Sequence, residues 1–170
     1  MPPSRPTLLS LVFILGACSP APPAESPKSA ASPLIGAWDS HVQFTSGAFV
    51  SMKDLRFAYV FNAGGTMTES SNYDGAPPVP PAYGVWREVG PNKFEVKYLY
   101  YSTKAPAAFQ DIAGGGGWMP SGHGVLTETI TLGADGNSFD STIHYEAFDM
   151  AGKPATGGGD ATAHATRITF

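Results

Sequence analysis

From residue 36 onward apolar and polar residues alternate in eight short runs, and the lengths of the connections between them alternate as well. The runs are 36–45, 55–62, 66–73, 83–89, 93–102, 124–132, 137–149 and 160–170. A period of two marks half-buried strands, because successive side chains of an extended chain point to opposite faces. No window of ten residues carries a helical period. Three connections are short and built from turn residues: Ala-Gly-Gly at 63–65, Gly-Pro-Asn at 90–92 and Gly-Ala-Asp-Gly at 133–136. Four are long: 46–54, 74–81, 103–123 and 150–159. The long ones are first, third, fifth and seventh in order, so in an antiparallel meander they all fall at one end. The sequence therefore predicts an all-β, eight-stranded up-and-down sheet with one tight end and one loop-rimmed end. Eight is also the strand number at which a sheet closes on itself and either fills its interior or holds one small ligand.

The composition fits a turn-rich β domain. Charged residues are 14% of the chain, and glycine and proline contribute 20 and 16 of its 170 residues. After the leader described below, residues 34–170 leave room for a single domain. A net charge of −4 provides no basic footprint, so nucleic acid is not an expected partner.

The first 17 residues carry Arg5 and a short apolar run from Leu8 to Leu15, too short to span a bilayer and typical of a signal peptide. The run ends in Leu15-Gly16-Ala17-Cys18, which resembles the bacterial lipobox. That resemblance implies cleavage before Cys18, a diacylglycerol on its thiol and usually a third acyl chain on the freed amine. Two or more chains anchor stably where one binds reversibly. Ser19 in place of an aspartate implies, for a Gram-negative source, delivery to the outer membrane. Residues 18–33 are mostly proline, alanine and serine without apolar period, which predicts an extended tether to the membrane.

Gly36-Ala37-Trp38 on the first run, eight strands, loops sorted by end and Arg167 on the last run together resemble the lipocalin-like barrels of the calycin superfamily. The resemblance covers roughly residues 34–170. It implies that Trp38 and Arg167 pack across the closed end and that the open end admits a small apolar ligand. The chemistry agrees, since a guanidinium stacks well on an indole face.

Turn lengths predict which residues face inward. A four-residue turn at 133–136 sets Leu132 opposite Asn137, Ile130 opposite Phe139, Glu128 opposite Ser141 and Leu126 opposite Ile143. The apolar members of that face must point in, and they take Glu128 and Ser141 with them. A three-residue turn at 90–92 sets Trp86 opposite Val96. The other inward sets are Trp38, Val42 and Phe44, then Leu55, Phe57, Tyr59 and Phe61, then Phe94, Val96, Tyr98 and Tyr100. On the last run Ile168 and Phe170 are expected inside, with His164 and Thr166. The third run presents either Met67 and Glu69 or Thr66 and Thr68.

Phe57, Tyr59, Tyr98, Tyr100, Glu128 and Tyr145 are thus the candidate ligand contacts. Trp118, within the long 103–123 connection, is expected to lie over the mouth if that connection folds as a lid. No inward Arg or Lys accompanies Glu128, so burial should raise its pKa. It either satisfies the core by bonding Ser141, a tyrosine or water, or it orients a ligand. The single cysteine and the spacing of the four histidines fit no metal site, and no cofactor is expected. The reading is a lipid-anchored outer-membrane protein that binds a small apolar or amphipathic molecule. Two alternatives are a small-barrel isomerase or cyclase, with Glu128 and His164 or a tyrosine moving a proton, and an envelope interaction or inhibitor protein using the long loops.

Overall fold

In the computed structural model the alternating runs form strands β1 (Gly36–Phe44), β2 (Leu55–Phe61), β3 (Thr66–Ser71), β4 (Ala82–Gly90), β5 (Lys93–Lys104), β6 (Met119–Leu132), β7 (Ser138–Phe148) and β8 (Gly159–Arg167). A short helix, α1 (Phe109–Ala113), lies between β5 and β6. The strands pair antiparallel in chain order, and β8 closes onto β1 to complete a barrel. The structure describes residues 31–73, 81–114 and 116–170. The leader, Cys18, the tether up to residue 30 and the connection 74–80 lie outside them. Each strand alternates between core and solvent as its residue types dictate: Trp38, Val42 and Phe44 of β1 are buried, and so are Leu55, Phe57, Tyr59 and Phe61 of β2.

Three departures from the sequence reading have simple causes. The β6–β7 hairpin is shifted by two residues, so Leu132 pairs with Phe139, Ile130 with Ser141, Glu128 with Ile143 and Leu126 with Tyr145. The turn is longer because the Asp135 carboxylate accepts the amides of Asn137 and Ser138, and the Gly133 amide reaches the Ser138 carbonyl at 2.8 Å. A shift of two preserves the facing of every side chain, so Glu128 and Ser141 still point inward. By contrast, Trp86 does oppose Val96, with a bulge between Glu88 and Gly90.

The last strand has the opposite facing to the one expected. Ala161, Ala163 and Ala165 are buried, while His164 and Thr166 face solvent and Ile168 and Phe170 lie exposed past the strand. Strand alternation allows only one choice: Arg167 can meet Trp38 only if the other odd-numbered residues of β8 also point in. The apolar weight of Ile168 and Phe170 outvoted three alanines in the sequence pattern. His164 instead meets Asp140 on the outer surface at 2.8 Å.

The 103–123 connection is hairpin at both ends. β5 continues to Lys104 and β6 begins at Met119, with a bulge after Ser102, leaving 105–118 to connect them. A five-residue helix is too short to leave a periodic trace, and none of its residues is buried. Phe109 and Met119 are largely exposed. On β3 the open choice resolves to Met67 and Glu69 inside.

Candidate functional site

The barrel interior has three layers. At the tight end, Gly36 takes a positive φ of 137°, and a Cβ there would collide with the Arg167 guanidinium. Trp38 is fully buried and donates its indole N–H to the Leu34 carbonyl at 2.9 Å. The Arg167 Cζ sits 4.1 Å from the indole centroid. Its guanidinium also donates to the carbonyls of Ile35 at 2.8 Å and Gly136 at 3.0 Å, so it ties the chain before β1 to the β6–β7 turn. Trp86 closes the same end on the other side. Its Nε1 donates to the carbonyls of Asn62 and Thr66, and its ring meets Phe61 and Phe94 edge-on.

The middle layer holds the chemistry. Tyr59 of β2 lies beside Glu69 of β3 in register, and Val96 of β5 lies beside Glu128 of β6. The hydroxyls of Tyr59 and Tyr98 are 3.3 Å apart, and Tyr98 donates to Glu128 Oε2 at 3.4 Å. Gly84 of β4 makes room for Tyr98, since a Cβ there would overlap the Lys97 carbonyl and Tyr98 itself. All four polar residues of this cluster are buried. Burial, reinforced by the charge on Glu128, raises Glu69 to about 8. Burial likewise raises Glu128 to about 7, with the nearby hydroxyls of Ser141, Tyr59 and Tyr98 opposing it. Of those hydroxyls only Tyr98 makes a formal hydrogen bond to it. Tyr59 and Tyr98 are pushed well above the ordinary phenol range by burial and by the two acids, so both remain donors.

Among the described residues, four polar atoms on this inner surface have no hydrogen-bond partner: Ser40 Oγ, Glu69 Oε1, Glu128 Oε1 and Ser141 Oγ. Leaving a buried polar group unpaired costs about 1–3 kcal/mol, and more when it is charged. Between the two serines runs the β8 wall of alanines, with Ser141 opposite Ala163 and Ser40 opposite Ala165.

The mouth layer is aromatic. Tyr100 and Tyr145 stack with centroids 6.2 Å apart and join their hydroxyls at 2.8 Å. Gly124 on the intervening strand leaves space for both rings, which a Cβ would strike. Phe49, from the β1–β2 connection, packs on Phe44 at 5.2 Å, Tyr73 at 5.4 Å and Tyr145 at 5.7 Å between centroids. Among the described residues the side chain packed over these mouth rings is Phe49.

Of the ligand contacts expected from sequence, Phe57, Tyr59, Tyr98, Tyr100, Glu128 and Tyr145 all lie on the inner surface. Trp118 does not join them: it sits half-buried in the β5–β6 connection, among exposed neighbours. Trp38 and Arg167 meet as expected. Sequence reasoning did not single out Ser40, Phe49 and Tyr73, and it left Glu69 undecided. Ser40 was legible, lying between Trp38 and Val42 in strict alternation. Phe49 was not, because a loop has no period. Among the described residues no group of three or more His, Cys, Asp or Glu side chains is placed to hold a metal. Comparison with protein-family profiles, with curated proteins and with solved structures finds no match to this chain.

Proposed function

We propose that this protein is a lipid-anchored binder of a small apolar or amphipathic molecule, held inside the barrel and entering past Phe49. The observation that carries the reading is the set of four unpaired polar atoms on an otherwise aromatic and aliphatic inner surface. Small-molecule sites have this composition: an apolar lining with a few polar groups that fix orientation. A ligand's polar end would satisfy atoms that the fold leaves unsatisfied. The Leu15–Cys18 lipobox resemblance supports the anchor, and Ser19 supports delivery to the outer membrane for a Gram-negative source. Native mass spectrometry of tag-free protein, released gently from membranes, tests the binding reading. A stoichiometric co-purifying small molecule is expected, and a bare polypeptide mass throughout would count against it. For the anchor, Cys18→Ser should move the protein out of the membrane fraction, and unchanged detergent partitioning would remove that part of the reading.

A proton-transfer reading is favoured by one observation, the Tyr98–Glu128 hydrogen bond beside a carboxyl that titrates near neutrality. His164 takes no part in it, since it lies outside the barrel. Turnover that is abolished in Glu128→Gln with binding retained would establish this reading over simple binding.

A further inference from the structure

We infer that the ligand bound in the barrel is an amine, with its ammonium group held between Glu69 and Glu128 and its apolar body against the aromatic rings toward the mouth. The inference rests on the binding reading above and narrows it to a chemical class.

The argument starts from which charges face this point. Glu69 comes from β3, Glu128 from β6, Tyr59 from β2 and Tyr98 from β5. β1 and β7 contribute the serines Ser40 and Ser141, β8 contributes alanines, and β4 contributes Ala82 and Gly84. Among the described residues the one inward cation is Arg167, which lies at the tight end over Trp38 and is committed to backbone carbonyls. Two carboxyl groups thus share a low-dielectric space with no positive charge to balance them.

The unmet hydrogen bonds say the same. The Tyr59 hydroxyl faces that of Tyr98, and Tyr98 donates to Glu128 Oε2. Both tyrosine hydroxyls are therefore engaged, yet Glu69 Oε1 and Glu128 Oε1 face no donor. An ammonium group brings three donors and a full charge, and so matches two carboxyl oxygens and one serine hydroxyl. A neutral alcohol brings one donor and no charge. A carboxylate ligand would add a third acid to the pair. Phe57, Tyr59 and Tyr98 lie on the same inner surface, and aromatic rings attract cations. Glu69, raised to about 8, keeps its proton at neutral pH, and Glu128, raised to about 7, keeps it in part. A cation docked between the two favours their ionised forms, so binding near pH 7.5 releases protons, a signature that mere filling of the core lacks.

The test uses the full acylated chain in nanodiscs and three water-soluble probes of one shape: 2-phenylethylamine, 2-phenylethanol and 3-phenylpropionate. Calorimetry near pH 7.5, repeated in buffers of different ionisation enthalpy, gives both affinity and protons exchanged. The amine is expected to bind at least about tenfold more tightly than the alcohol, with release of up to about one proton, and the carboxylate least tightly. In Glu69→Gln/Glu128→Gln the amine should lose that advantage while the alcohol keeps its affinity. Should the double variant fail to fold, proton release by the wild-type protein still decides. Equal binding of amine and alcohol without proton release would overturn the amine assignment and leave a binder of neutral molecules. Absence of both heat and thermal stabilisation with all three probes would overturn the binding reading as well.

Discussion

The two ends of this barrel differ in how their large polar and charged side chains are paired, though Ser32 Oγ before β1 is unpaired as well. At the tight end the buried indole N–H and the Arg167 guanidinium find carbonyl partners, and Arg167 joins β8 to the chain before β1 and to the β6–β7 turn. In the middle and toward the mouth, two carboxyl groups and two serines keep atoms unpaired, although the rings around them stack and share hydroxyl hydrogen bonds. A fold selected for stability alone would treat both regions alike, because an unsatisfied buried group is among the larger single penalties a domain can carry. The contrast locates stability at one end and leaves the other free for chemistry.

Breaking the tight end should have the largest effect. Trp38→Ala is expected to cost about 3–5 kcal/mol in urea unfolding, as for other buried tryptophans. Arg167→Ala should cost less, and the double variant should cost less than the sum of the two, because the same stacked pair is lost in each. Strict additivity would mean that the contact contributes nothing of its own.

The middle layer should respond with the opposite sign. Glu69 and Glu128 have folded pKa values above those of the unfolded chain, so their stabilising, protonated forms are complete in acid. Stability from this pair should therefore fall as pH rises from about 4.5 to about 8. Glu128→Gln should remove part of that slope and stabilise the empty protein at pH 8 by up to ~3 kcal/mol, given the shift from 4.5 to about 7. Thermal unfolding of the two proteins from pH 4 to pH 8 checks this. A Gln variant less stable across the whole range would reveal a hydrogen bond to the carboxylate stronger than the geometry implies.

Two smaller effects sharpen the description of the mouth. Gly124→Ala drives a methyl group into the Tyr100 and Tyr145 rings and should destabilise by about 1–3 kcal/mol, with the near-ultraviolet dichroism of tyrosine altered. Phe49→Ala removes a half-buried ring from a loop and should cost only about 1 kcal/mol. Its larger effect should be kinetic: faster exchange of any bound molecule in stopped-flow fluorescence. Unchanged exchange would move the gate elsewhere on the rim.

The barrel was legible because strand alternation and turn composition are local signals, and loop lengths sorted by parity give the ends. The facing of β6 and β7 survived a turn of the wrong length, since an error of two leaves each side chain on its own side of the sheet. The facing of β8 did not survive, although the expected stacking of Arg167 on Trp38 already contradicted an inward Ile168. Glu128 was legible from the three apolar residues that share its face. Glu69 was not, because β3 carries Thr66, Met67, Thr68 and Glu69, a sequence in which neither face is plainly apolar. Phe49 depended on a tertiary contact that no periodicity encodes.

The β5–β6 hairpin outgrows the barrel, and this bears on how the molecule avoids its own kind. A closed sheet offers no unpaired strand to a neighbour. Among the described residues, however, β5 past Leu99 has no partner on β4 and β6 before His123 has none on β7, while the two stay paired with each other as a ribbon. The outer borders of this ribbon have no strand beside them among the described residues, and Tyr101 and Met119 on it are exposed. Pro120, with no amide hydrogen, interrupts one border, and Lys104 puts a charge at the end of the other. Each strand of the ribbon thus carries a residue unsuited to continuing a sheet.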